Sequence, residues 1–246
     1  MDCAFRTHVG KVRAHNEDYL VCLGDLGVLV LGDGMGGHQA GEVAAKIAVE
    51  TAASELLAAQ HRDAAGELES LLTVGKAAEA ANQAVIDAVQ KSPECEGMGT
   101  TLVAVLFREG RIYHAHVGDS RLYRLREGKL QALTRDHSLV RELLDNGLFG
   151  SLEEARQAGI GDNILTRSIG LVRNVEVDVG DDEVLPGDHF LVCSDGLCGK
   201  VDDATIGTLM ARHLSMEGMA DALLNAAMDA GGRDNISLIV ARSRAE

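Results

Sequence analysis

The chain has no tryptophan, only two prolines, and aromatic residues at 3% of its 246 positions. It has no Pro- or Ser-rich linker, no low-complexity tract and no internal repeat, so a single domain spanning residues 1–246 is the expected organisation, with ample length for a core. Basic residues are scarce beside acidic ones, 23 Lys and Arg against 38 Asp and Glu, for a formal charge of −15. A broad basic face for nucleic acid or an anionic membrane is thereby excluded, and cations or basic partners fit better. No apolar run approaches membrane-spanning length, and the opening MDCAFRTHVGK lacks the apolar core of a signal peptide, so a cytoplasmic location is expected. Five cysteines, at 3, 22, 95, 193 and 198, are odd in number and follow no disulfide framework, and Cys193 and Cys198 are too far apart for a C-x-x-C motif. They read as reduced, packed thiols.

What the chain does have is glycine, 28 residues of it, and glycine of this abundance shapes loops. Apolar runs bounded by turn residues, YLVCL, GVLVLGD, TTLVAVLF, RIYHAHV, RLYRL, HFLVCSD and NISLIVA, read as strands. Several follow one another through short Gly-containing turns, which implies antiparallel meanders rather than repeated βαβ crossovers. Helical periodicity occupies residues 41–60 and 67–90, the latter with Leu68, Leu71, Leu72, Ala78, Asn82, Val85 and Val89 on one face. In a late helix Met216, Met219, Ala220, Leu223 and Ala227 make an apolar stripe that belongs to the core. Antiparallel sheets faced by helices are the expected architecture. Residues 137–165 interrupt the strand pattern with two short helix-like pieces, as a flap or a plain connector.

The stretch VLVLGDGMGGHQAGEVAA, residues 28–45, runs from strand through glycines into an alanine-rich helix. Gly32, Gly34 and Gly37 satisfy G-x-G-x-x-G, which superficially reads as a dinucleotide loop. Asp33 argues against that reading, because a carboxylate planted there would repel a pyrophosphate. Asp33 ends one apolar strand, Asp195 follows HFLVCS, Asp234 precedes NISLIVA, and Asp119 sits in a turn between meander strands. Each alone has the ordinary explanation of a turn or cap residue. Together, at rigid strand ends beside residues that permit close backbone approach, they have the means to converge on one point. Several buried anions require protonation or a cation, and hard oxygen ligands without zinc-type His or Cys clusters select Mg²⁺ or Mn²⁺. Two such ions bridged by water are a recurrent device for phosphoester hydrolysis. His114 and His116, on one face of a predicted strand, read as packing residues.

Eight segments in order, GKVRAHNEDYL, LGDGMGGHQAGEVAA, GTTLVAVL, AHVGDSRLYRL, LTRDHSLV, NILTRSIG, PGDHFLVCSDGL and GGRDNISLIV, resemble the metal-dependent protein phosphatases of type 2C, most of all their compact bacterial members. The resemblance runs from Gly10 to Ser237. It implies a four-layer α-β-β-α sandwich, two central antiparallel sheets flanked by helices, with a metal cleft at one end. It further implies that Asp33 bridges two Mg²⁺ or Mn²⁺ ions, that the Gly34 carbonyl adds a ligand, that Asp195 and Asp234 hold the second ion, and that Asp119 helps bind a third, weaker one. Glu17 and Asp18 match positions that support the metal waters, and Arg13 matches the phosphate-binding arginine, a role suited to a permanently charged, paired donor.

The reaction so implied is attack by a water between the ions on the phosphorus of phosphoserine or phosphothreonine, without a phosphoenzyme. The expected partners are phosphorylated proteins, the substrates of a serine/threonine kinase, and the protein is expected to act as a monomer. The leaving oxygen needs a proton. Animal relatives often carry histidine directly after Asp-Gly, whereas this chain has Met35, whose thioether has none to give; His38, three residues on, or a metal-bound water is the candidate acid. Two rivals belong to other classes: a phosphatase-like module that binds phosphoproteins without turnover, and a nucleotide-binding enzyme using the glycine loop. The first predicts binding without phosphate release, and the second predicts protection by NAD or ATP without added metal.

Overall fold

The computed structural model describes residues 1–36, 40–60, 67–92, 95–161, 164–212 and 214–243, excepting the side chains of residues 67 and 68. In chain order the elements are β1 (Asp2–His8), β2 (Asp18–Leu23), a 3₁₀ turn (Gly24–Leu26), β3 (Val28–Met35), α1 (Ala40–Gln60), α2 (Glu67–Lys91), β4 (Gly99–Thr100), β5 (Leu102–Arg108), β6 (Arg111–Val117), β7 (Arg121–Arg126) and β8 (Lys129–Ala132). There follow α3 (Leu139–Asp145), α4 (Leu152–Gln157), β9 (Asp178–Glu183), β10 (His189–Cys193), α5 (Asp195–Cys198), α6 (Asp203–Met210), α7 (Met216–Asp229) and β11 (Ile236–Arg242).

One sheet has the order β1-β11-β10-β7-β8, the other β2-β3-β5-β6-β9 with β4 added beside β3, and every ladder is antiparallel. The two-residue period of a strand builds the layers. In β3, Leu29 and Leu31 point between the sheets toward Phe190, Val192 and Ile239, while Val28 and Val30 point the other way, into a core shared with α1 and α2. On the outer face of the first sheet, Leu191, Cys193, Leu238 and Val240 meet α5, α6 and α7. The result is the expected α-β-β-α sandwich. Each large apolar side chain buried in these layers stabilises the fold by about 1.5–3 kcal/mol relative to exposure.

The α7 stripe is buried as expected, at Met216, Met219, Ala220, Leu223 and Ala227, and Ser215 caps the helix by accepting from the Gly218 N–H at 3.1 Å. In α2 the buried face is Val74, Ala77, Ala78, Ala81, Asn82 and Val85. Leu72, expected on that face, is instead half exposed. Asn82 earns its burial by hydrogen bonds: its amide donates to the carbonyls of Val172 and Arg173 and accepts from the Gly170 N–H. The interruption at 137–165 carries α3 and α4, and it is pinned at its base where Ser138 bridges Leu165. Among the described residues no helix is long and apolar enough to cross a membrane.

Candidate metal centre

The same two-residue period that sends Leu29 and Leu31 between the sheets sends Asp33 there too, at the strand end where the apolar layer gives out. In register, Asp33 stands opposite Asp18 of β2, so an antiparallel pair presents two carboxylates on one face. Asp195 follows β10 and Asp234 precedes β11, neighbouring strands of the other sheet joined here by Ser194 N–H to the Ser237 carbonyl at 3.0 Å. Asp119 lies in the turn that carries the chain from β6 in one sheet to β7 in the other. Asp18, Asp195, Asp119 and Asp234 all stand near enough to Asp33 for their charges to bear on its carboxyl.

Electrostatics reports the crowding. Burial, then the charges of Asp18, Asp195, Asp119 and Asp234, push the Asp33 carboxyl well above the usual carboxylate range. Burial pushes Asp18 up to about 7, against hydrogen bonds from Ser237 and Ser194 and with the Asp195 charge adding to it. Burial and Asp195 push Asp119 up to about 7, and burial and Asp234 raise Asp195. Anions held together at this cost call for a cation. One buried oxygen, Asp18 Oδ1, has no hydrogen-bond partner among the described residues. The donors are carboxylates and carbonyls, the chemistry of Mg²⁺ or Mn²⁺ rather than of a soft ion, so the residues present fit such ions.

The backbone around Asp33 is rigidly fixed. Its N–H donates to Thr101 Oγ1 at 2.9 Å, and its carbonyl accepts from the Thr101 N–H at 2.9 Å and from Thr100 Oγ1 at 3.0 Å. Gly34 N–H donates to the Glu17 carbonyl at 3.1 Å. A Cβ on Gly34 would lie 2.2 Å from the Gly41 carbonyl oxygen and 2.6 Å from that of Glu17. The glycine therefore admits the chain's own backbone, not a pyrophosphate. At the facing strand end a Cβ on Gly196 would come within 1.8 Å of the Asn235 carbonyl oxygen.

Arg13 reaches the rim of the cluster, where Nη2 donates to Asp234 Oδ2 at 2.9 Å with the arginine side chain half exposed. That hydrogen bond and the Asp234 charge raise its already high pKa. Glu17 lies beside it, half-buried, its carboxyl raised by burial against the Arg13 charge. Met35 ends β3, paired with Gly99. His38 lies outside the described residues.

Three supports had not been anticipated. Asn235 is buried and makes three hydrogen bonds to the loop that carries Arg13: Oδ1 accepts from the Glu17 N–H at 2.8 Å, and Nδ2 donates to the carbonyls of Val9 and His15 at 3.0 and 2.9 Å. Ser194 donates to Asp18 Oδ2 at 2.9 Å and accepts from the Ser237 N–H at 3.0 Å. His137 is tied twice to Gly118, beside Asp119: its N–H donates to the Gly118 carbonyl at 2.7 Å, and its Nδ1 accepts from the Gly118 N–H at 3.2 Å. The only available sign of Asn235 in the sequence was an Asp-Asn pair at the mouth of an apolar strand.

His114 and His116 are buried in strand β6, pushed down by burial to about 4 and about 3 respectively. His116 stacks near His137, ring centroids 4.6 Å apart, and with Asp178 the two bring three ligand atoms within 4.8 Å of one another. The hydrogen bonding points to a positioning network instead. With Nδ1 of His137 accepting from Gly118, its Nε2 carries the proton toward Asp178 Oδ2 at 3.1 Å, and Arg167 takes Asp178 Oδ1 at 2.8 Å. A ring in that tautomer and a guanidinium at that distance both disfavour a cation there.

The chain is similar to known proteins over nearly its whole length. A sequence model described as protein phosphatase 2C matches residues 8–228. The serine/threonine phosphatase stp of Listeria welshimeri is 35% identical over 243 residues, covering 98% of this chain and 95% of that protein. Among solved structures, the Mycobacterium tuberculosis serine/threonine phosphatase PstP superposes with a TM-score of 0.88 at 36% identity, covering 99% of this chain and 98% of that one. A structure of the PstP catalytic domain in complex with two manganese ions gives 0.85 at 37% identity, covering 98% and 96%.

Proposed function

The chain belongs to the protein phosphatase 2C family, and on that premise we propose how its own residues divide the work of hydrolysis. It is a metal-dependent serine/threonine phosphatase that uses Mg²⁺ or Mn²⁺ and acts on phosphorylated proteins. When bound, a pair of such ions supplies an acidified water as nucleophile and positive charge against the phosphoryl oxygens.

Asp33 and the Gly34 carbonyl, with Asp195 and Asp234, are the groups that hold the pair, from three strand ends in two sheets. Asp119 holds a third, weaker ion. Glu17 and Asp18 accept hydrogen bonds from the surrounding water and keep it oriented. Arg13 binds the phosphate: it offers two oxygens a paired, permanently charged donor, and Asp234 keeps its guanidinium at the rim. The leaving seryl or threonyl oxygen takes a proton that Met35 does not have, and His38 is assigned as its source. Full retention of activity toward phosphopeptides in His38→Ala would remove that assignment.

The protein works as a single catalytic domain and as a monomer in the cytoplasm, opposing a serine/threonine kinase. The observation that supports the site most is Asp33, in register with Asp18 across the β2–β3 pair and set within the fields of Asp18, Asp195, Asp119 and Asp234. The test is multiple-turnover phosphate release from a phosphothreonine peptide in Mn²⁺, abolished by chelator and by Asp33→Asn. Phosphopeptide binding without turnover would instead make the chain a recognition module.

A further inference from the structure

At the ends of β1 and β2 far from the carboxylates, two thiols from different sheets meet. β1 is the edge strand of one sheet and β2 the edge strand of the other. Cys3 and Cys22 both turn toward the apolar layer between the sheets, and Cys22 Sγ donates to Cys3 Sγ at 2.9 Å. A disulfide needs a separation of about 2.05 Å, so less than about 1 Å of approach remains, within the compass of side-chain rotation. Both thiols are half-buried. They line an open cleft of about 660 Å³ together with Met1, Asp2, Leu23 and Gly24. Cys193 and Cys198 are also neighbours, but both are buried, and Cys95 has no second cysteine close to it in sequence.

We propose that Cys3 and Cys22 are a redox modification site, a dithiol that hydrogen peroxide closes to a disulfide, stapling the two sheets together at their edges. With its Sγ–H directed at Cys3 Sγ, and its thiol pushed up by burial and the adjacent Cys3, Cys22 is the resolving thiol, and Cys3 is the attacking sulfur. Cys3 sulfur attacks one peroxide oxygen, the O–O bond breaks, and the thiol proton leaves with the other oxygen as water. Cys22 sulfur then attacks the sulfenic sulfur, the S–O bond breaks, and the hydroxyl departs with the Cys22 proton as a second water. Two thiols are oxidised by two electrons in total, and the peroxide is reduced. The ring so closed runs from residue 3 to residue 22 and includes Arg13, Glu17 and Asp18.

The experiment treats the reduced, Mn²⁺-loaded protein with hydrogen peroxide, blocks remaining thiols with N-ethylmaleimide, and maps tryptic peptides by mass spectrometry. The expected result is a cross-link between the peptides of residues 1–6 and 14–46, two hydrogen atoms lighter than their sum and reversed by dithiothreitol. It is accompanied by a rise in Tm of roughly 5–10 °C that is absent in Cys3→Ser. Cys22→Ser serves as the second variant, and phosphatase activity in Mn²⁺ confirms that each has folded. Maleimide on both Cys3 and Cys22 after peroxide, or a cross-link confined to other cysteines, would overturn the proposal.

Discussion

Replacing Asn235 with alanine removes the fastener of the loop that carries Arg13 and Glu17. The side chain is buried, and it makes one accepted and two donated hydrogen bonds, all between 2.8 and 3.0 Å, to the backbone of Glu17, Val9 and His15. At about 1 kcal/mol net for each bond, the loss comes to about 3 kcal/mol. In a chain of 246 residues that lowers Tm by roughly 6–12 °C. Urea unfolding should show the same loss as a lower midpoint with unchanged slope. Because the freed loop carries Arg13, the residue proposed to bind phosphate, kcat/KM toward a phosphothreonine peptide should fall at least about tenfold, mostly through KM. A variant within about 0.5 kcal/mol of the parent in stability, with KM unaltered, would refute the reasoning: the loop would then be held by something other than Asn235.

Gly34→Ala drives a methyl group into two backbone carbonyls and should cost about 3 kcal/mol or more, read by thermal unfolding; a variant with unchanged Tm would show that the close approach at Gly34 is not needed. Arg13→Ala should lower kcat/KM roughly 10- to 100-fold while leaving the fold intact, and Arg13→Lys should restore only part, since an ammonium lacks the paired donors; full restoration by lysine would remove the bidentate role. Burial and the Asp195 charge raise Asp18 and Asp119 to about 7 in the absence of an ion. Groups raised in the folded state add stability at low pH that is lost as pH rises through about 7. An ion replaces those protons, so Mn²⁺ should raise Tm more at about pH 8 than at about pH 6, and equal increments would contradict the linkage.

The cluster of carboxylates proposed to hold the ions was legible because rigid apolar strands announce their own ends: VLVLG and HFLVCS lead into Asp33 and Asp195, and ISLIV begins just after Asp234. The layered architecture was legible for the same reason, since period-two alternation is a local property. β1 and β9 escaped because neither carries a sustained apolar alternation; the DVGDDE of β9 reads as a loop until β6 pairs with it. Leu72 was misplaced because α2 turns an alanine-lined face to α1 and the sheet, and a bulky residue on the neighbouring ridge stays outside. Asn235, Ser194 and His137 were invisible for a different reason. Their partners lie far away in sequence, and only the folded chain says whether a polar side chain caps a turn or fastens a distant loop.

The account rests on carboxylates from three strand ends sharing one set of ions, and anomalous diffraction at the manganese edge from Mn²⁺-soaked crystals tests this most directly. The predicted map has two strong peaks enclosed by Asp33, Asp195 and Asp234, both lost in Asp33→Asn. Strong peaks elsewhere, or an unchanged pair in Asp33→Asn, would contradict it.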